Sequence, residues 1–296
     1  FAVAVEETTD SGTKIAGSFT LMSESAAFSN SASGVTLTFT DGSSLELVSA
    51  GNASKDHDVA VPGASGEMSL GQSSSNSAAV GIDGVGASNA VSFAWHSAAD
   101  VAGIEGASVS ISYSNGDETT VSNQTSAVDS SLSAGVTYVT TTGDTTVTLG
   151  AGFIEAQDDN STTKTDYSVY HVGAVAVNGD LTVGIGMGQG DYPDYATGQT
   201  NEVLDWQAVE AGVTYVSGDL TFTAMYRDSD SVDDTAGNTP SGVKDGIERT
   251  GMSVDYAVAS GVTTTVGFMS QSASNEGVKE QTNSGSSWYI GTNLSF

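Results

Sequence analysis

Alternation of apolar and polar residues along almost the whole chain is the feature that most limits what this sequence can fold into. From residues 14–22 through to residues 286–296, Val, Thr, Tyr and Phe alternate with small or polar residues. A period of two residues is typical of β-strands that have one apolar face. Helical spacing is rare in this chain. The pattern therefore predicts an all-β, antiparallel fold of sixteen strands, which include short ones at residues 58–61 and 67–71.

The connections between the predicted strands alternate between tight turns and long polar stretches. Turns such as Asn178-Gly179-Asp180 and Ser217-Gly218-Asp219 contain the Gly, Asn and Asp residues that tight hairpins need. Acidic, Ser/Thr-rich stretches separate these turns, as at residues 155–166 and 228–248. We therefore expect the short turns at one end of the sheet and the long loops at the other.

The chain is strongly acidic and has no cysteine. In 296 residues it has 7 Lys and Arg against 36 Asp and Glu, a formal net charge of -29. This balance excludes a nucleic-acid-binding protein that works by neutralising phosphates. Zero Cys excludes disulfides, thiolate zinc sites and cysteine nucleophiles. No apolar run is long enough to cross a membrane as a helix, whereas the strands of a membrane barrel hide half of their residues from lipid.

Aromatic residues on the apolar face are predicted to form two bands. One band lies near the short-turn end and the other near the long-loop end. The first comprises Tyr138, Tyr215, Tyr256 and Phe296, and the second Tyr113, Phe153, Tyr226 and Trp288. Trp and Tyr favour membrane interfaces because their rings are apolar and carry a polar tip, and a soluble core gives no reason for such bands. The bands favour a membrane barrel.

With these features the sequence resembles the Gram-negative general porins, most closely the alphaproteobacterial branch. The resemblance spans nearly the whole chain: its size, the predicted strands and loops, and an alternating last strand that ends in Phe296. Residues 59–71, Val-Ala-Val-Pro-Gly-Ala-Ser-Gly-Glu-Met-Ser-Leu-Gly, resemble the family's strand, turn and strand before its third loop. The resemblance implies a sixteen-stranded transmembrane β-barrel with short periplasmic turns, long extracellular loops and an inward-folded third loop, here residues 72–90.

The same resemblance implies what the protein does and where. It implies a homotrimer in the bacterial outer membrane, in contact with lipid and lipopolysaccharide, through which small hydrophilic solutes and ions diffuse passively. Neither catalysis nor a cofactor is implied. The barrel is expected over residues 14–296, after an N-terminal segment (residues 1–13) in which Ala2-Val3-Ala4 resembles a signal peptidase site. The last strand is expected to close the barrel against residues 14–22, with Trp288, Leu294 and Phe296 as the assembly signal.

Charges at inward positions predict a preference for cations. The family sets an arginine-rich wall opposite an acidic third loop, whereas only Lys14 is basic on the inward face of the early strands here. The residues assigned to the lumen are Lys14, Glu46, Asp58, Glu67, Glu210, Arg227 and Asp255, with Asp83 on the third loop. Acids outnumber bases in this set, and the acidic loops add negative potential at the mouth.

Two other interpretations remain open at this stage. One is a secreted, acidic β-sandwich of a surface layer or filament, with its apolar faces as cores and calcium on its loops. The other is a substrate-specific barrel with an aromatic track inside. Calcium or magnesium is the only ion predicted, at the loop carboxylates Asp158, Asp159, Asp233 and Asp234, because clustered oxygens favour hard cations. Solvated loop faces are the simpler account of these clusters.

No enzyme is predicted. The chain has no Gly-x-Ser-x-Gly elbow before a helix, and its histidines in strands have no evident acidic partner in the sequence. The glycine-rich segment at residues 184–190 lacks the helix that a dinucleotide-binding loop requires. We interpret its glycines as inward residues that widen the lumen.

Overall fold

Over the residues that the structure describes, the chain forms one antiparallel sheet of fifteen strands, paired in chain order from β1 to β15. The computed structural model describes residues 2–24, 27–47, 52–64, 91–115, 128–160, 163–193, 203–232, 244–276 and 281–295. The strands are Ala2–Thr8, Lys14–Glu24, Ala27–Thr38, Ser44–Leu47, Val91–His96, Ala107–Asn115, Val128–Thr142, Thr145–Asn160, Thr163–Asn178, Leu181–Pro193, Val203–Ser217, Leu220–Val232, Lys244–Ala259, Val262–Glu276 and Gln281–Leu294. In these ranges the helices are two short 3-10 turns, Lys55–His57 and Val101–Gly103, and neither is long enough to span a membrane.

The chain divides into two compact units. The first comprises Phe1–His57, Asp83–Tyr138 and Ala151–Ser168, and the second Asp58–Ile82, Val139–Gly150 and Val169–Phe296. Strands β1 to β6 therefore belong to the first unit and β10 to β15 to the second.

Tight turns lie where the Gly-Asp and Ser-Gly pairs predict them. The four turns after β7, β9, β11 and β13 each contain a glycine with a positive φ, namely Gly143, Gly179, Gly218 and Gly261. This conformation favours glycine because it has no Cβ. In the turn after β3, the carboxylate of Asp41 accepts hydrogen bonds from the hydroxyl (2.7 Å) and the N–H (2.9 Å) of Ser43, which lower the pKa of Asp41 below its ordinary value.

The strands differ from the prediction in number and in extent. The described residues form fifteen strands, because residues 58–61 belong to no strand of the sheet, while the strand predicted at residues 67–71 lies outside the described residues. The sheet begins before Lys14, since Ala2–Thr8 pairs with β2 and residues 1–13 thus contribute a strand. Strands β8 and β9 occupy most of the predicted loop at 155–166. Backbone pairing continues there because ladder hydrogen bonds do not require apolar side chains.

The predicted closure against residues 14–22 is wrong. In the structure Lys14–Thr20 pair with β1 on one side, and β3 pairs with β2 on the other. The order of the sheet is linear over the described residues, with no ladder between β1 and β15.

The apolar face of the sheet is exposed, whereas the polar face is buried at many positions of β5 to β14. On β12, Phe222 is 41% exposed, whereas its neighbour Thr223 on the opposite face is 7% exposed. Most large hydrophobic residues of β10 to β15 are exposed in the same way, whereas Met225, Ile247 and Met269 are buried on the polar face together with Glu210 and Ser253. A soluble β-sandwich buries its apolar face instead. The observed burial is therefore the reverse of what the secreted β-sandwich requires.

The aromatic residues predicted to form bands lie on this exposed face. Those of the described ranges are Tyr113, Tyr138, Phe153, Tyr215, Tyr226, Tyr256 and Trp288. Tyr226 pairs with Thr250, six positions before Tyr256 on β13, a spacing of about 20 Å along the strand. The Trp288 ring packs against Phe268 at 4.8 Å between ring centroids. Phe296 lies outside the described residues.

Candidate functional site

Residues 52–64, here called the strap, follow β4 and lie against the polar face without joining the sheet. In the first unit the strap begins on the serines of β6 and β7. The N–H of Ala53 donates to Ser112 Oγ at 3.0 Å, and the N–H of Ser54 donates to Ser133 Oγ at 3.4 Å. The two serine hydroxyls lie 2.6 Å apart. These hydroxyls thus satisfy backbone donors that no ladder reaches.

The buried ring of His57 fixes the strap to the same strands. Its Nδ1 lies 2.7 Å from Thr137 Oγ1, and its Nε2 lies 2.8 Å from Ser110 Oγ. The Nδ1 of His96 lies 2.9 Å from the same serine oxygen and 3.5 Å from Asp56 Oδ2. A serine beside a histidine is the arrangement of an activated nucleophile. Ser110, however, is only 4% exposed, and the other ring nitrogen of His57, Nδ1, faces the Thr137 hydroxyl and not a carboxylate. The contact between His57 and Ser110 therefore holds the strap in place.

In the second unit the strap continues over the polar face of β9 to β13. Asp58 Oδ1 lies 3.6 Å from Nδ1 of the buried His171. At the end of the strap, the N–H of Ala64 donates to the Met225 sulfur at 3.3 Å. Val59 and Ala64 are buried. All 3 histidines of the chain therefore contact the strap or belong to it, and two of them have acidic partners that the sequence alone did not reveal.

A row of one carboxylate, two guanidinium groups and one amide crosses the polar face beside the strap. Glu210, Arg227, Arg249 and Gln271 occupy successive registered positions on β11 to β14. Arg227 Nε donates to Glu210 Oε2 at 3.1 Å, with side chains 19% and 8% exposed. Arg249 Nε donates to Gln271 Oε1 at 3.0 Å. Because these groups are largely shielded from water, their charges act strongly on anything that passes close by.

Three other residues assigned to the lumen lie on the polar face or at its edge. Lys14 Nζ is 2.8 Å from Glu6 Oε2, in an exposed ion pair. Glu46 pairs in register with positions on β3 and β5. Asp255 accepts a hydrogen bond from the hydroxyl of Thr265. Glu210 and Arg227 form the ion pair above, and Asp58 lies on the strap, where a strand was expected.

The remaining predicted residues lie outside the described residues or at the ends of strands. Asp83, Glu67, Asp233, Asp234 and Phe296 belong to the first group. Asp158 and Asp159 fall in β8, and Leu294 is exposed at the end of β15. No group of three or more acidic or histidine side chains within the described ranges is placed to hold a metal ion. Calcium or magnesium binding by the loop carboxylates stays a prediction.

The fold is similar to that of solved outer-membrane channels. A structure of porin has a TM-score of 0.60 at 16% identity, over 100% of this chain and 91% of that chain. The anion-selective porin from Comamonas acidovorans has a TM-score of 0.60 at 10% identity, over 99% and 86%. This chain has a porin fold. The outer membrane channel DcaP of Acinetobacter baumannii is also similar, with a TM-score of 0.58 at 14% identity, over 99% and 84%. No protein-family model matches the sequence, and the search of curated proteins found no match.

Two features of this porin fold differ from the sequence predictions. Arg249 lies on the polar face but is absent from the predicted lumen residues, although it lies six positions before Asp255 on the same strand and alternation alone puts both on one face. The prediction that the glycines of β10 widen the lumen is wrong for Gly184 and Gly186. They do not widen an open space at the strap, since a Cβ added to Gly184 would lie 2.8 Å from Pro62 Cδ and one added to Gly186 3.4 Å from Val61 Cγ2.

Proposed function

We propose that this chain is a porin of the bacterial outer membrane, through which small hydrophilic solutes and ions diffuse passively. The observation that supports the proposal is the burial of the two faces of the sheet. The apolar face is exposed and much of the polar face is buried, the opposite of what a soluble β-sandwich shows. In a bilayer, lipid removes the apolar face from water, and the polar face lines an aqueous passage. The similarity to solved porins and an outer membrane channel supports the same function.

The proposal includes a closed barrel and a trimer. A closed antiparallel barrel needs an even number of strands, so a sixteenth strand in addition to the fifteen of the described residues would complete the barrel and remove its edges. The trimer contacts outer-membrane lipid and lipopolysaccharide. The mass of the detergent-solubilised protein tests this part, and a protein that stays monodisperse as a monomer without detergent would contradict it.

The proposed channel prefers cations. Lys14 and Arg227 each have a carboxylate partner. Glu46 and Asp255 add carboxylates to the polar face against Arg249, and the chain as a whole has a formal net charge of -29. Such a field concentrates cations at the entrance. One similar structure is an anion-selective porin, so charge rather than fold is expected to set the sign of selectivity.

Recording in planar lipid bilayers tests both parts of this function. The refolded protein should give discrete conductance steps, and a salt gradient should give a reversal potential of the cation-selective sign. A correctly folded protein that never conducts would refute the porin proposal. Conductance with an anion-selective reversal potential at low salt would refute the cation preference alone.

A further inference from the structure

Five buried glycines on the polar face lie directly beneath the strap, each on a different strand. Gly135 on β7 faces the His57 ring in the first unit. In the second unit Gly173, Gly184, Gly212 and Gly251 face strap residues from Val59 to Ala64. An added Cβ would overlap His57 at position 135, a Val59 methyl at position 173 and the Pro62 carbonyl oxygen at position 212. At position 251 it would lie 2.9 Å from Met225 Cε and 3.2 Å from Ala64 Cβ, so both the neighbouring strand and the strap restrict this position.

Space, and not backbone conformation, requires glycine at these five positions. None of the five has a positive φ, so the backbone itself accepts any residue there. Gly291 is a useful contrast, because it lies on the polar face of β15 and an added Cβ would meet nothing within 4 Å. The five positions are thus restricted by the strap that covers them.

We propose that Gly173, Gly184, Gly212 and Gly251 form a track in the second unit that sets how closely residues 59–64 of the strap lie on the wall, and thereby the free cross-section of the channel. Gly135 has the same role toward His57 within the first unit. These glycines are positioning residues. The inference rests on the proposed porin function. Hydrogen bonds from Ala53, Ser54 and Ala64 fix the strap along the sheet, and the track fixes its distance from it. Along the sequence the strap precedes residues 72–90, which by the resemblance to porins are the third loop, the segment that forms the constriction in that family.

The pair Gly173 and Val59 gives the sharpest test, because the severe overlap of an added Cβ is with a single side chain, whereas the Ile185 carbonyl oxygen lies farther away, at 3.3 Å. In Gly173→Ala, the Val59 methyl has to retreat by about 1.5 Å to restore an ordinary carbon–carbon contact. The strap then moves into the channel, and single-channel conductance should fall. Val59→Ala removes the obstructing methyl, so the double variant should regain the conductance of the parent protein. Gly291→Ala is the matched control and should conduct like the parent.

Each outcome decides the inference. Unchanged conductance in Gly173→Ala would overturn it, as would a double variant that conducts no better than Gly173→Ala. If Gly173→Ala yields no folded protein, recovery of folded protein by adding Val59→Ala supports the track, and failure to recover it counts against the track. The thermal unfolding midpoints of the same variants give a second readout. If the parent protein never conducts, the porin function fails, and rescue of the midpoint by Val59→Ala still decides whether the glycine positions the strap.

Discussion

Replacing Met252 with arginine tests whether the exposed face of β13 lies in lipid. Met252 is 51% exposed and lies four residues from Tyr256 of the short-turn aromatic band, toward the middle of the strand. Val258 on the same face is 52% exposed but lies beyond Tyr256, beside the turn. The two positions are matched in exposure and in strand, and they differ in expected depth.

The expected magnitude follows from that depth. Four residues correspond to about 13 Å along a strand, or roughly 9 Å of depth at a tilt of about 45°. Met252 is therefore expected deep in the hydrocarbon, where arginine costs about 2–4 kcal/mol, against about 0–1 kcal/mol near an interface. Met252→Arg should lower the free energy of unfolding by about 2 kcal/mol more than Val258→Arg, roughly a 30-fold difference in the folding equilibrium. In water both substitutions would change it by only about 0.5 kcal/mol or less.

Urea titrations of the protein folded into lipid vesicles would measure this difference, with the fluorescence of the 3 Trp residues as the signal. With a slope of about 2 kcal/mol per molar urea, the midpoints of the two variants should differ by about 1 M. Equal and small shifts for both variants would refute the assignment of this face to lipid.

Three other predictions concern assembly and selectivity. Leu294→Asp puts a charge on the exposed face of β15. We expect this substitution, and equally the removal of Phe296, to abolish the folded, heat-modifiable form on gels, whereas Asn293→Asp on the opposite face should retain that form. Glu210→Gln removes the carboxylate that Arg227 contacts, so the reversal potential should shift toward anion selectivity. Arg227→Gln should shift the reversal potential toward cation selectivity, and identical shifts for the two variants would contradict a role of this ion pair in ion selectivity. Raising salt from about 0.1 M to about 1 M should weaken cation preference, since the Debye length falls from about 10 Å to about 3 Å; a constant permeability ratio would argue against control by charge.

The faces of the strands could be predicted because side-chain direction in a strand depends only on parity. Phe222 and Thr223 lie on opposite faces as alternation requires. The prediction of a strand at residues 58–61 is wrong because pairing, unlike side-chain direction, does not depend on parity alone. The Val-Ala-Val sequence of this segment is suited to an extended chain, but whether an extended chain joins a sheet or lies on it depends on partners elsewhere in the sequence.

The sequence by itself determined the strands, the tight turns and the division of each strand into an apolar and a polar side, because these follow from residues next to one another. Only the tertiary structure decided which side is covered, since a sandwich and a barrel have the same alternation. It also decided what covers the polar side. The contacts of His57 with Ser110 and of Ala64 with Met225 join residues 53 and 161 positions apart, and parity fixes only the side of the sheet on which a residue lies, without saying which distant segment packs there.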